Sequence, residues 1–290
     1  MEMSTPLATG LAELACDHPE WRPWLTLLSV AHGTFGDPLW ARAVPDGATL
    51  MEQAQSGAPL LEGAVLSVDA EGADRFMRRI FGVAESNGGS AAPLEAAAHD
   101  PRLDSLAILE AAIRQDTRGL SRWATILSVE PAALRAVAGV AATPLLHACR
   151  CAWQDGLTQG WTRGYCPVCG AWPTLAEARG LERSRHLRCG RCGGDWRTDW
   201  RGCPFCANAD HATLGSLVGD ESMESRTVEA CEACEGYLKA ITTLKATPAD
   251  ALTLVDLDSV ELDIAALEHG YVRPEDSGYR LRVRVVGAWR

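Results

Sequence analysis

Apolar residues recur at helical spacing through the first half of the chain. Leu7, Leu11 and Leu14 share one face behind Ser4-Thr5-Pro6, where a hydroxyl can cap a helix with proline in its first turn. Trp21, Trp24, Leu25 and Leu28 continue the pattern, and Phe76, Ile80 and Val83 repeat it over 69–83. Further amphipathic stretches cover 103–113 and 120–127. Pro131 and Pro144 each suit a helix start, and the second helix is expected to run from Pro144 to Leu157. Ser86-Asn-Gly-Gly-Ser90 reads as a loop or hinge. Residues 1–160 are therefore expected to form an all-helical domain.

From Gly160 the texture changes. Long periodicity stops and short alternating pieces take over: His186-Leu-Arg188, then Trp196, Thr198 and Trp200, then Thr227-Val-Glu-Ala230. Residues 161–245 read as a small β region with turns at cysteines. Apolar residues at helical spacing return over 249–257 and 260–267, and Tyr279 to Val286 alternates like a strand. The last piece, 246–290, is expected to be a helical segment and tail. The predicted class is α+β.

The turns carry the chemistry. Eight of the eleven cysteines form four Cys-x-x-Cys pairs: Cys166/Cys169, Cys189/Cys192, Cys203/Cys206 and Cys231/Cys234. Two intervening residues let a tight turn aim both sulfurs at one point, and two facing turns make a tetrahedral thiolate cage. Proline follows the first cysteine in Cys166-Pro-Val-Cys169 and Cys203-Pro-Phe-Cys206, fixing φ. Glycine follows the second cysteine at Gly170 and Gly193, allowing a left-handed residue; in the fourth pair it is delayed to Gly236. The simplest pairing is sequential, with Cys166, Cys169, Cys189 and Cys192 at one ion and Cys203, Cys206, Cys231 and Cys234 at a second. An interleaved cross-brace remains open at this stage. Closed four-cysteine sites leave no position for a reactive water, so the expected role is structural, and four thiolates suit iron or zinc alike.

Of the other cysteines, Cys16 is expected in the core. Cys149 and Cys151 lie with His147 on a helix, where packing is a commoner role than a third site. No serine-nucleophile elbow, phosphate loop or dinucleotide fingerprint occurs, and no enzymatic activity is expected.

Charge narrows the partners. The chain has 27 basic and 38 acidic residues, net −11. The balance is −8 over 1–160 but +4 over 161–206. Such a chain is a poor non-specific nucleic-acid binder. Arg163, Arg185, Arg188 and Arg191 flank the cysteine turns; they either balance anionic cages or offer a docking surface to an acidic partner. No run of about 18 apolar residues occurs, so no membrane insertion is expected. The first ten residues lack the features of a secretory signal, which makes the cytoplasm the expected compartment. There, clustered thiols favour metal over disulfides.

The order of motifs is similar to that of a known family. Gly164-Tyr-Cys166-Pro-Val-Cys169-Gly-Ala-Trp-Pro173 is followed by Leu187-Arg-Cys189-Gly-Arg-Cys192-Gly-Gly-Asp-Trp196 and Cys203-Pro-Phe-Cys206. Glu229-Ala-Cys231-Glu-Ala-Cys234-Glu-Gly-Tyr-Leu-Lys239 completes the order, with the acidic stretch Val255-Asp-Leu-Asp258 after it. This resembles the formate dehydrogenase accessory protein family, FdhE, over roughly 164–268. The resemblance implies a helical base carrying tandem rubredoxin-like, zinc-ribbon metal modules, with the eight cysteines as ligands of two ions. It implies a cytoplasmic maturation factor that engages the catalytic subunit of formate dehydrogenase and is not itself the enzyme. Rubredoxin-like electron transfer or redox sensing is the alternative, and a zinc-ribbon nucleic-acid binder comes third. Self-association is not fixed by the sequence.

Overall fold

A computed structural model describes residues 6–46, 56–85, 92–153, 160–198, 202–218 and 225–288. The described residues form two compact units, one within 1–47, 61–152 and 281–290, the other within 48–60 and 153–280. The expected Ser4-Thr5 cap, the 86–90 loop and Trp200 lie outside the described residues.

The first unit holds α1 (Pro6–Asp17), α2 (Arg22–His32), α3 (Pro38–Ala41), β1 (Val65–Val68), α4 (Ala70–Glu85), α5 (Ala92–His99), α6 (Ser105–Ile113), α7 (Thr117–Leu127) and α8 (Pro131–Trp153). Its core is built from the periodic positions: Leu25, Leu28, Met77, Ile80, Ile108 and Ile113 are buried.

Three features depart from the helical expectation. First, the helical half contains a strand. β1 pairs in parallel with the tail strand β8 (Arg284–Gly287), Val65 opposite Arg284 and Val68 opposite Gly287. Glu62 takes both the Arg282 backbone N–H and its guanidinium, and Glu110 accepts the Val285 N–H at 2.9 Å. The tail thus belongs to the first unit. Second, 131–153 is one helix with Pro144 inside it. Proline cannot donate to the carbonyl four residues back, Val140. The Thr143 hydroxyl bonds that oxygen instead, at 2.8 Å, so the helix continues. By length and composition α8 could cross a membrane, but more than half of its apolar window is buried. Leu134, Ala138, Ala141, Leu145 and Leu146 are fully enclosed, as in a core helix. Third, Cys16 is exposed rather than core.

The second unit is built on a six-stranded sheet ordered β4-β3-β2-β7-β6-β5. Its strands are β2 (Leu175–Arg179), β3 (Ser184–Arg188), β4 (Asp195–Arg197), β5 (Leu214–Val218), β6 (Arg226–Cys231) and β7 (Gly236–Thr243). It is a tandem repeat. In each half a cysteine turn leads into an antiparallel hairpin, a second cysteine turn follows, and a third strand pairs with the hairpin. The halves join through the parallel pairing of β2 with β7. Two helices, α9 (Leu252–Leu257) and α10 (Val260–Glu268), follow, and Leu262 and Ala266 pack on Val228 and Tyr237.

Two charged networks lie inside this unit. The Lys239 ammonium is fully buried, 2.6 Å from Asp256 and 2.8 Å from Asp263. Arg273 bridges the same carboxylates at 3.0 and 2.7 Å, and the Tyr237 hydroxyl donates to Asp263 at 2.7 Å. This network ties β7 to α9 and α10. On β2, buried Glu177 receives Arg188 at 2.6 Å and Arg179 at 2.5 Å, and Arg179 also reaches Asp195 at 2.8 Å. Buried charges persist when paired in this way.

Candidate metal centres

The structure brings the cysteines together in the sequential groups. In each, all four sulfurs lie within 4.8 Å of one another. Cys166 and Cys192 sulfurs are 3.5 Å apart, as are those of Cys169 and Cys189. In the second group Cys203 and Cys234 are 3.6 Å apart, and Cys206 and Cys231 are 3.8 Å apart. All are free thiols. A disulfide requires about 2.05 Å. A tetrahedron of sulfurs about 2.3 Å from a central ion has edges of about 3.8 Å. The observed spacings fit that cage.

Backbone conformation explains the turns. In every one the residue after the second cysteine is left-handed: Gly170 at φ 67°, Gly193 at 79°, Ala207 at 61° and Glu235 at 56°. The first three turns share a hydrogen bond from that residue's N–H to the first cysteine's carbonyl, at 2.9, 2.9 and 3.0 Å. The expected delay of the glycine in the fourth turn is corrected here: Glu235 itself takes the left-handed position. Gly236 has a different task, matched by Gly194 in the other half. A Cβ on Gly194 would lie 2.9 Å from the Cys166 sulfur, and one on Gly236 would lie 3.1 Å from the Cys234 sulfur.

The two cages differ in exposure. All four cysteines of the first are buried, whereas Cys206 is exposed and Cys234 half-buried in the second. Burial pushes the Cys166 and Cys192 thiols well up, while hydrogen bonds from Cys166, Cys169 and Cys192 hold Cys189 well down. In the second cage burial raises Cys203 and lifts Cys234 to about 11. Burial also opposes ionisation of Cys231, but Asn208 and the Cys234 and Ala233 N–H groups bring it to about 7. Neighbouring buried thiols thus do not ionise together unaided; a central cation reverses that balance. The donor set, spacing and electrostatics all suit a thiophilic ion.

The cages are joined by close packing. A Cβ on Gly164 would lie 1.9 Å from the Pro204 carbonyl oxygen, and Trp172 meets Phe205 edge-on at 5.4 Å. Arg163, Tyr165, Trp172 and Pro204 line a cleft of about 460 Å³ beside these turns. The other arginines are placed differently. Arg188 is buried on Glu177, Arg185 pairs with Glu229 at 2.5 Å, and Arg191 is half-buried. Arg188 is therefore not available to a docking partner.

Among the described residues no third cysteine–histidine cluster forms. Cys149 is buried and Cys151 exposed, and His147 stacks on Phe35 at 4.1 Å. The sequence reading passed over Lys239, one of only two lysines. Its scarcity among 27 basic residues was the available signal.

The comparisons with known proteins agree with this geometry. The family model for the FdhE C-terminal domain matches residues 202–277. The FdhE homolog of Aquifex aeolicus is 32% identical over 121 residues, covering 40% of this chain and 41% of that protein. FdhE of Escherichia coli K12 is 30% identical over 116 residues, covering 39% and 37%. The chain thus aligns with about two-fifths of the length of these relatives. The crystal structure of FdhE from Pseudomonas aeruginosa shares the fold, with a TM-score of 0.59 and 22% identity over 93% of this chain and 92% of that one. Taken with the order of cysteine turns and the tandem ribbon, these findings show that the chain has the fold of the Pseudomonas aeruginosa FdhE protein and that its cysteine-rich part is similar to the FdhE C-terminal domain.

Proposed function

We propose that this protein is an accessory factor in the maturation of formate dehydrogenase, binding the catalytic subunit through its cysteine-rich unit. The observation that carries this reading is the pair of closed four-sulfur groups packed against one another through Gly164 and Pro204. Cys166, Cys169, Cys189 and Cys192 would hold one ion, and Cys203, Cys206, Cys231 and Cys234 the other. Each ion, iron or zinc, would supply cross-linking of the turns, on the order of 10 kcal/mol.

The surface best suited to a partner is the cleft bearing Arg163, Tyr165 and Trp172. Aromatic residues and arginine dominate binding hot spots, because they pair large contact area with directional polar groups. Arg163 is the exposed member of the four arginines flanking the turns. This narrows the docking surface from four arginines to one, with Arg185 held by Glu229.

The test is co-purification of the protein with the catalytic subunit, together with formate oxidation in cells lacking it. Association lost in Arg163→Glu, and oxidation lost on deletion, support the reading. No association and intact oxidation sink it. One observation favours a second reading, electron transfer: Cys206 brings the second cage to the surface. A coloured protein that bleaches with reductant supports it, and a colourless, redox-silent protein removes it.

A further inference from the structure

The first unit contains a cleft of about 740 Å³ formed by α3, the start of α4 and the two-stranded sheet. That volume falls within the range of small-ligand sites, roughly 300–1,000 Å³. Three arginines line it: Arg42 just after α3, and Arg75 and Arg79 one turn apart on α4. All three are exposed, and none of their guanidinium groups makes an ion pair or hydrogen bond among the described residues. Arg78, between them in sequence, behaves oppositely. It is committed to Asp74 at 2.7 Å and to the Ala98 carbonyl at 2.6 Å. One face of the same helix therefore commits its guanidinium to partners within the protein, while the next presents two to the cleft.

The floor is apolar and closely built. Phe76 is buried edge-on against Trp40, with ring centroids 5.0 Å apart. Gly72 lets α4 settle onto Leu39, since a Cβ there would lie 2.6 Å from the leucine methyl. Two carboxylates share the lining, Asp37 and Asp69. Asp37 is already engaged, accepting the Leu39 N–H at 2.8 Å. The lining thus carries more positive than negative groups, although residues 1–160 are net −8.

We propose that this cleft binds a small molecule through a phosphate or diphosphate group. The planar guanidinium fork matches phosphate oxygens bidentately, and like-charged arginines without internal partners are relieved by a shared anion. Arg75 and Arg79, at i and i+4, lie close enough to grip adjacent phosphate oxygens, with Arg42 supplied by a different element. Phe76 and Leu39 offer contact to the organic part of the ligand. This site is independent of the cysteine cages.

The test is calorimetric titration of the full-length protein with inorganic pyrophosphate at low ionic strength. Saturable binding at one site is expected. It should weaken by about tenfold or more in R75A/R79A, as charge-assisted bonds are removed. Ser67→Glu, which adds an anion to the lining while keeping every arginine, should weaken it similarly. The control is R118A/R122A, which removes an exposed pair with the same spacing on α7; it should bind as the parent does. Three results overturn the proposal: no saturable binding of pyrophosphate, equal loss in the control, or saturable binding of an acidic peptide alone.

Discussion

Gly164 and Pro204 touch so closely that no side chain fits between them: a Cβ on Gly164 would lie 1.9 Å from the Pro204 carbonyl oxygen. Gly164 leads into the first cysteine turn and Pro204 lies inside the third, so the contact couples the opening turns of the two cages. Gly164→Ala forces backbone apart at that junction. Overpacking of this kind costs on the order of 1–3 kcal/mol. Denaturation should show that loss, and metal analysis should show weakened retention at both cages. Loss confined to the first cage would mean that the coupling is not mechanical.

The repeated left-handed residue gives a prediction of opposite sign. Ala207 and Glu235 hold φ of 61° and 56°, where a Cβ crowds the backbone. Ala207→Gly and Glu235→Gly should each be neutral to stabilising, by up to about 1 kcal/mol, because glycine reaches that conformation freely. Gly236→Ala should destabilise, since its Cβ would meet Phe205 at 2.8 Å. Thermal melts of the three variants check the set.

Much of this unit is legible in the sequence, because two-residue spacing and following glycines are local constraints. Non-local features were not. β1 and β8 stand more than two hundred positions apart, and only tertiary pairing shows that the alternating tail joins the helical unit. Pro144 reads as a helix start by local rule, yet the Thr143 hydroxyl on Val140 lets the helix run through it. Lys239 looks like an ordinary lysine on a strand until Asp256, Asp263 and Arg273 are seen around it. The exposure of Cys206 is likewise invisible in a Cys-Pro-x-Cys pattern shared with the buried first turn.

That exposure orders the cages. Cys206 is exposed while all four cysteines of the first group are buried. A chelator should therefore strip the second cage first. Following release spectroscopically with a coloured chelator should resolve two phases. Cys206→Ser should abolish the faster one and leave the slower. A single phase, or loss of the slower phase in that variant, would contradict the ordering.

The Tyr237–Asp263 contact sets a pH dependence. Burial, then the Asp263 carboxylate it donates to, push the Tyr237 hydroxyl up to about 12. The fold thus favours the neutral phenol. Its contribution is fully present below the ordinary tyrosine value of about 10 and is lost as pH rises through the folded value. Tyr237→Phe should be less stable than the parent at neutral pH, with the difference shrinking between about pH 10 and 12. Equilibrium denaturation across that window checks it, and a constant difference would show that the hydroxyl is not the group responsible.

The central claim is that eight cysteines hold two ions in two separate cages. Native mass spectrometry of protein prepared without air tests it most directly. The account predicts two metal ions per chain, falling to one in Cys206→Ser, with the remaining ion in the buried first cage. A chain with no metal, or one whose mass shows cysteines joined as disulfides, would contradict it.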